Sequence, residues 1–370
     1  MASEQRRALD AHEALYKTFI FNRGESEKYP ENYGGDYIEE GKLHVCIVNI
    51  KESDISEYTK ILHDYLDVVV FEEVRYSLQS LLTASESVAK ELISDGVAVY
   101  SCAVSEVSNS LVVSTNISEL NKKGIYVDIA HKKTLPKSKF LPEEIIVYEA
   151  SNKLFEVPVL FENGVRGQET TQLMGGTPLE ICTLGVCGTY GGQNAIAICG
   201  HNMWVGKSIR LLSDNSQVGT VNVQRYGDGL SGDYSIVKIT GTGFTTSNKV
   251  GDPSNSSSQT SITSSVGRAA TGTAVIKYGK NAGYAYGTVT SSNITWYPSG
   301  ITDGIYGLVD LRLAIGSNVP GDSGGPCYTA DGVFCGTVTG TNGTDSYGFS
   351  HMVFSPYIYL VGAGFSVKTT

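Results

Sequence analysis

From Gly175 onward the helical period all but disappears from this chain. Short apolar runs follow one another instead, each closed by Gly, Ser, Thr or Asn. Among them are Ile181–Val186, Ala195–Cys199, Gly219–Arg225, Tyr234–Ile239, Thr273–Tyr278, Tyr306–Leu313 and Val333–Thr339. Strands this short, at this spacing, predict an all-β antiparallel sandwich or pair of barrels. Residues 241–272, rich in Ser, Thr and Gly, read as a surface connection with a strand or two.

The first half is built differently. Residues 1–173 hold 18 Lys+Arg and 28 Asp+Glu, and residues 174–370 hold 10 of each, so the whole net charge of −10 belongs to the first half. Glycine moves the other way, with 8 of 42 before residue 174. Such unlike compositions predict two domains, 1–150 and 174–370, joined by a linker and processing junction at 151–173. Asp54, with Glu57 three residues on, reads as a capping box opening a helix with Ile55, Tyr58, Leu62 and Tyr65 on one face. Leu78, Leu81, Leu82, Val88 and Leu92 mark a second helix, ended near Gly96. Strands at Leu43–Ile50, Val68–Val74, Val97–Val104 and Leu111–Ser114 complete a βαβαββ order, a small sheet covered by helices. His12, His44, His63 and His131 are scattered, and read as solvated or structural.

Several function classes drop out. An acidic chain without a basic patch is repelled by nucleic-acid phosphates. No apolar run has membrane-spanning length. The opening MASEQRRALD carries no apolar segment behind its arginines, so no signal peptide is read there. Seven cysteines, an odd number, allow disulfides without requiring them.

The stretch PGDSGGPCY, Pro320–Tyr328, carries the chemistry. A serine hydroxyl becomes a useful nucleophile only when a base takes its proton and a third group orients that base. Two histidines stand in the β half, so the search is short. His351 sits inside a strand-like run and reads as a packed residue; His201 ends the strand NAIAICGH. One glutamate and nine aspartates are available as orienter. Most of these aspartates lie in turns, but Asp233, in GDYSIVKI, opens an apolar strand.

The segments CTLGV, AIAICGHN, GDYSIVKI, KYGKNAGYAYGTVTSSN and PGDSGGP together resemble the α-lytic protease and streptogrisin group of bacterial chymotrypsin-like serine proteases. The match runs from about Gly175 to the C-terminus, with its motifs in the family's order. The resemblance implies a double antiparallel β-barrel in which His201 is the general base, Asp233 its orienter and Ser323 the nucleophile. It further implies an oxyanion site at the N–H groups of Gly321 and Ser323, with Lys277 paired to Asp322 to hold that loop. Residues Lys42 to Thr115 more weakly resemble the family's pro-segment, an α/β domain that assists folding of the protease and then inhibits it. Polypeptide substrates, a monomer, an extracellular setting and no metal or cofactor follow from the same resemblance.

The chain also departs from the family. Asn202 stands where a cysteine usually follows the histidine, leaving Cys199 as a substitute partner for Cys182. Cys327 and Cys335 flank the turn TADG as a second candidate bridge. The pocket position six before the serine is Ser317, so no buried carboxylate awaits a basic side chain. The wall at Thr339, Gly340 and Thr341 lacks the histidine that glutamate-specific relatives use, and Gly348 leaves room. An apolar, medium-sized side chain is expected there. Self-processing after Leu173 or Met174 agrees with that pocket.

Rival readings fare worse. GDSGG also fits the nucleophile elbow of α/β-hydrolases, but Pro326 and the β-rich tail forbid the helix an elbow must feed. Cys182, Cys187, Cys199 and His201 have the wrong spacing for a zinc knuckle. GDGLSG, residues 227–232, leads into a strand, not the helix a dinucleotide site needs. A protease-fold module that is silent, or permanently blocked by its first half, stays open as the alternative.

Overall fold

The computed structural model describes residues 2–21, 29–115, 146–150, 172–299, 302–345 and 347–370. Helix α1 (Ala2–Phe21) leads into a hairpin of β1 (Tyr33–Glu39) and β2 (Lys42–Val48). Then come α2 (Glu52–Ile61), β3 (Val69–Val74), α3 (Leu78–Ser94) and a second hairpin, β4 (Val99–Ser105) and β5 (Ser110–Thr115). Strand β3 lies parallel to β2, as a crossover through α2 requires. Strand β6 (Ile146–Ala150) runs parallel to β5.

The α/β character of this region is as expected, with three additions and one shift. Helix α1 is hidden among charges in the sequence, yet Ala8, Ala11, Leu15 and Phe19 are buried at helical spacing. Strands β1 and β6 are likewise additions. Helix α2 is capped at Lys51, not Asp54; the Asp54 carboxylate instead accepts from the Lys51 N–H at 3.1 Å. His12 and His44 are structural, paired with Asp36 and Glu72, His63 is exposed, and His131 lies outside the described residues.

Beyond residue 172 the regular structure is almost wholly strand. The first seven are β7 (Gln172–Gly175), β8 (Val186–Tyr190), β9 (Gln193–Ile198), β10 (Ser208–Arg210), β11 (Gln217–Arg225), β12 (Leu230–Ser231) and β13 (Tyr234–Ile239). Next are β14 (Thr245–Val250), β15 (Thr260–Ser261), β16 (Ser264–Ser265), β17 (Ala274–Gly279), β18 (Gly283–Trp296) and β19 (Ile305–Ile315). The chain closes with β20 (Pro326–Tyr328), β21 (Val333–Thr344), β22 (Ser350–Pro356), the short helix α4 (Ile358–Gly362) and β23 (Phe365–Val367). One sheet has the order β10-β11-β13-β9-β8-β23, and a larger one runs β12-β19-β22-β21-β20-β17-β18.

The larger sheet does not stop at β18. Strand β4 pairs antiparallel with it, Ile294 opposite Ala103 and Trp296 opposite Ser101, so the N-terminal hairpin extends the C-terminal sheet. An edge whose backbone groups would otherwise need solvent is covered in this way. Apolar packing crosses the same seam: Leu9, Leu15 and Leu111 share a core cluster with Val289, Leu311 and Phe354.

Two sequence expectations change here. Ile181–Val186 is mostly not strand, because its backbone bonds go to loops: Thr183 N–H donates to Ser323 O and Leu184 N–H to Thr177 O. Residues 266–271 are buried rather than a surface connection, since α1 lies over them. Gly267 N–H donates to Glu13 Oε2 at 3.0 Å, and His12 Nε2 lies 2.9 Å from Arg268 O.

The disulfides are also corrected. All seven cysteines are buried free thiols, including Cys182, Cys199, Cys327 and Cys335. A bulge after Cys327 sets Gly336, not Cys335, opposite it. The Cys182 and Cys199 thiols are hydrogen-bonding neighbours, and that contact, with burial, drives the Cys199 pKa well up.

Candidate active site

His201 lies just past the end of β9, and Asp233 just before β13. These strands are antiparallel neighbours with Ile198 opposite Ser235, so the two ends meet. His201 Nδ1 is 2.8 Å from Asp233 Oδ2. The other carboxylate oxygen accepts from the N–H groups of Gly200 at 2.6 Å and His201 at 2.8 Å. Asp233 is fully buried and His201 is 4% exposed. A carboxylate fixed by two backbone donors keeps the proton of the ring on Nδ1, leaving the Nε2 lone pair free to act as base. Glycine is needed at position 200, where a Cβ would stand 2.2 Å from Arg225 O. Asp233 N–H donates to Ser355 Oγ at 3.1 Å, tying the acid to β22, and the Tyr226 ring packs on the imidazole at 5.5 Å.

The loop around Ser323 follows from where each peptide group goes. Pro320 O accepts from Asn281 Nδ2 at 2.7 Å, and Gly321 O accepts from Thr183 Oγ1 at 2.8 Å. Asp322 N–H donates to Val319 O, Gly325 N–H donates to Asp322 O, and Gly324 N–H donates to Val338 O. Ser323 O accepts from Thr183 N–H at 2.9 Å. Two backbone donors of this loop are left over among the described residues, those of Gly321 and Ser323, and both residues are buried. Buried N–H groups without acceptors are rare, and a pair of them is ready-made to stabilise negative charge.

Beneath the loop, Lys277 Nζ reaches Asp322 Oδ2 at 2.6 Å, with both side chains fully buried. Val319 N–H also donates to Oδ2, and the N–H groups of Asn281 and Ala282 donate to Oδ1. Burial pulls the Lys277 pKa down, against the opposing pull of Asp322. Gly279 makes room for this pair, since a Cβ there would lie 2.1 Å from Asp322 Cγ.

Ser323 itself is 7% exposed. Its loop packs against the end of β9, where a Cβ on Gly324 would come within 2.9 Å of Cys199 N. The Ser323 hydroxyl donates to Thr339 O at 3.4 Å, and among the described residues it makes no hydrogen bond to His201. The imidazole and the Asp233 carboxylate are thus joined, while the Ser323 hydroxyl rests on β21. Such bonds are often loose in unliganded sites and tighten around substrate.

The remaining expected residues are spread out. Thr339 is buried, and Gly340 is backed by Trp296, whose ring would stand 2.6 Å from a Cβ at that position. Thr341 Oγ1 accepts from Asn318 Nδ2 at 3.3 Å. Ser317 is exposed, and Gly348 sits at φ +86° in an exposed turn with open space around it. Leu173 and Met174 lie on β7, alongside β14, Leu173 fully buried and Met174 6% exposed. His351 pairs through Nδ1 with Asp310 at 2.6 Å inside β22. Three residues around the site, Thr183, Asn281 and Ser355, have no role that the sequence suggests. The first two stand in the segments CTLGV and KYGKNAGYAYG, but which carbonyls they meet depends on the fold.

No family model and no curated protein matches this chain. Solved structures do. Thermobifida fusca Protease A is 26% identical, with a TM-score of 0.45 over 54% of this chain and 100% of that one. A glutamic-acid-specific serine protease described as using a histidine triad in substrate binding is 26% identical, TM-score 0.44, over 53% of this chain and 100% of that one. An α-lytic protease homologue, N4, is 19% identical, TM-score 0.42, over 52% and 96%. Each of these three is a protease by name, and each similarity spans about half of this chain.

Proposed function

We propose that the chain is a serine endopeptidase that cuts peptide bonds through an acyl-enzyme on Ser323. The observation that carries this is the meeting of three things: a buried Asp233–His201 pair, a serine on the adjacent loop, and two unused N–H groups flanking it. His201 Nε2 takes the serine proton as Oγ attacks the carbonyl carbon. Asp233 holds the ring in the needed tautomer and stabilises its positive charge. The N–H groups of Gly321 and Ser323 stabilise the oxyanion, each worth about 3–4 kcal/mol in the transition state. His201 then returns the proton to the leaving amine, and water repeats the cycle on the ester.

The N-terminal region is proposed as a folding assistant and inhibitor. Its support is the sheet shared across β4 and β18 together with the common apolar core. A strand laid on the edge of the β18–β19 hairpin offers a template for long-range pairings that are slow to form alone. The specificity proposal remains an apolar, medium-sized side chain in a pocket drawn from Ser317, Thr339, Gly340, Thr341 and Gly348. Processing after Leu173 or Met174 carries a constraint: Leu173 is buried, so that bond is open to attack before β7 docks beside β14. An extracellular setting is proposed with the rest.

An active-site fluorophosphonate tests the reading. Intact-mass and peptide mapping should place one adduct on Ser323, with none in His201→Ala. A wild-type chain that takes no label, with or without residues 1–173, would favour the silent module instead.

A further inference from the structure

Asn281 stands in the turn between β17 and β18, and its side chain crosses to the nucleophile loop. Nδ2 donates to Pro320 O at 2.7 Å, while the backbone N–H of the same residue donates to Asp322 Oδ1 at 3.0 Å. Only the nitrogen of the amide can face a carbonyl oxygen, so this orientation is set by chemistry.

The consequence lies one bond further on. In a trans peptide the C=O and N–H point opposite ways. Turning Pro320 O towards Asn281 therefore turns the Gly321 N–H away from it, and that N–H is one of the two donors left without an acceptor. Little else would keep it there. Gly321 has φ +92°, a region open to glycine, and glycine also makes rotation of the preceding peptide easy. The Thr183 hydroxyl pins Gly321 O, which belongs to the following peptide and leaves this one free to turn. Among the described residues, Asn281 supplies the one hydrogen bond to Pro320 O. The approach is close as well: a Cβ on Gly321 would lie 2.5 Å from Asn281 Nδ2.

We propose that Asn281 is a positioning residue, holding the Pro320–Gly321 peptide so that the Gly321 N–H faces the developing oxyanion. This rests on the serine-protease reading, and it adds a residue that touches neither substrate nor nucleophile. Lys277 and Asp322 anchor the loop from below; Asn281 sets the direction of one peptide within it.

The test compares the full chain with Asn281→Ala and with Asn281→Asp, which keeps the shape and removes the donor. Losing part of one oxyanion donor should lower kcat about 10- to 100-fold in both variants. KM should stay within about twofold, because ground-state binding is untouched. Affinity for a peptide boronate, which forms the tetrahedral adduct, should weaken by the same factor as kcat, while affinity for the product peptide holds. Crystals of Asn281→Ala should show the Pro320–Gly321 peptide turned over or in two orientations. Wild-type kcat and boronate affinity in both variants would overturn the proposal, as would a peptide unmoved in the Asn281→Ala crystals. A merely structural role would instead raise KM and weaken product binding together. Should the wild-type chain cut no peptide at all, the protease reading fails, and the orientation seen in the variant crystals still decides what Asn281 does.

Discussion

Lys277 and Asp322 form an ion pair at 2.6 Å that no solvent reaches, directly beneath the residue proposed as nucleophile. A buried pair is weak evidence for stability as such, but removing one partner strands a charge in a dry site. Lys277→Met should cost about 3–5 kcal/mol in chemical denaturation, measured in a Ser323→Ala background to prevent self-digestion. The added change Asp322→Asn should recover part of the loss, since Asn can keep its backbone donors. A loss below about 1 kcal/mol for the single change would show that the pair behaves like an exposed one.

Asp233 receives three N–H groups and is fully buried. Asp233→Asn keeps the shape, but the N–H groups of Gly200 and His201 claim its oxygen, so its amide N–H faces His201 Nδ1 and favours the wrong tautomer. Turnover of a peptide ester or amide should fall about 10⁴-fold at neutral pH. Steady-state kinetics read this directly, and a loss of only a few-fold would mean that His201 is not the working base.

Glu106 makes the seam between the two regions sensitive to pH. It is 1% exposed, and accepts from Thr271 Oγ1 at 2.8 Å and Ser292 Oγ at 2.5 Å, both on the C-terminal side. Burial raises its pKa above the ordinary carboxyl value of 4.5, with nearby Asp36 adding to the rise against the two hydroxyl donors. At the same seam, burial disfavours charge on His12, yet Asp36 outweighs it and raises the His12 pKa above 6.5. Glu13, raised by burial, has the same sign as Glu106. His12 keeps Asp36 whether or not the two regions are docked, whereas Glu13 and Glu106 meet their partners across the seam, so for these two carboxyls the docked state holds its proton more tightly than the separated one. Docking is then strongest below the ordinary values and weakens as pH rises through the raised ones. Amide exchange of β4, corrected for intrinsic rates, should accelerate as pH rises above the ordinary carboxyl value of 4.5, and Glu106→Gln should flatten that dependence. Equal protection throughout that rise would contradict the assignment.

The residues proposed as catalytic were legible because each sits in a short local motif. Gly200 and His201 end a strand, Asp233 begins one, and Ser323 is caged by glycines that the backbone requires. What holds them was not legible. Thr183, Asn281 and Ser355 act through carbonyls and N–H groups 39 to 140 residues away along the chain in their hydrogen bonds, and no local pattern encodes such a partner. Helix α1 was missed because its buried stripe includes the small or polar Ala8, Ala11 and His12, with Arg6, Arg7, Asp10 and Glu13 on the other face. Three of those charges have partners on other elements: Arg6 with Asp331, Arg7 with Asp67, and Glu13 with Gly267 N–H. The Cys327–Cys335 bridge failed for a register reason, a single bulge after Cys327 that sequence does not announce.

Peptide hydrolysis by Ser323→Ala, set beside the wild-type chain on one fluorogenic peptide library, tests the central claim most directly. Removing the Oγ removes the acyl-enzyme, and what remains is the oxyanion site and substrate binding. The rate in the variant should fall about 10⁶-fold, to the limit of detection, with circular dichroism and the denaturation midpoint unchanged. Hydrolysis at the wild-type rate by a folded Ser323→Ala chain would contradict it.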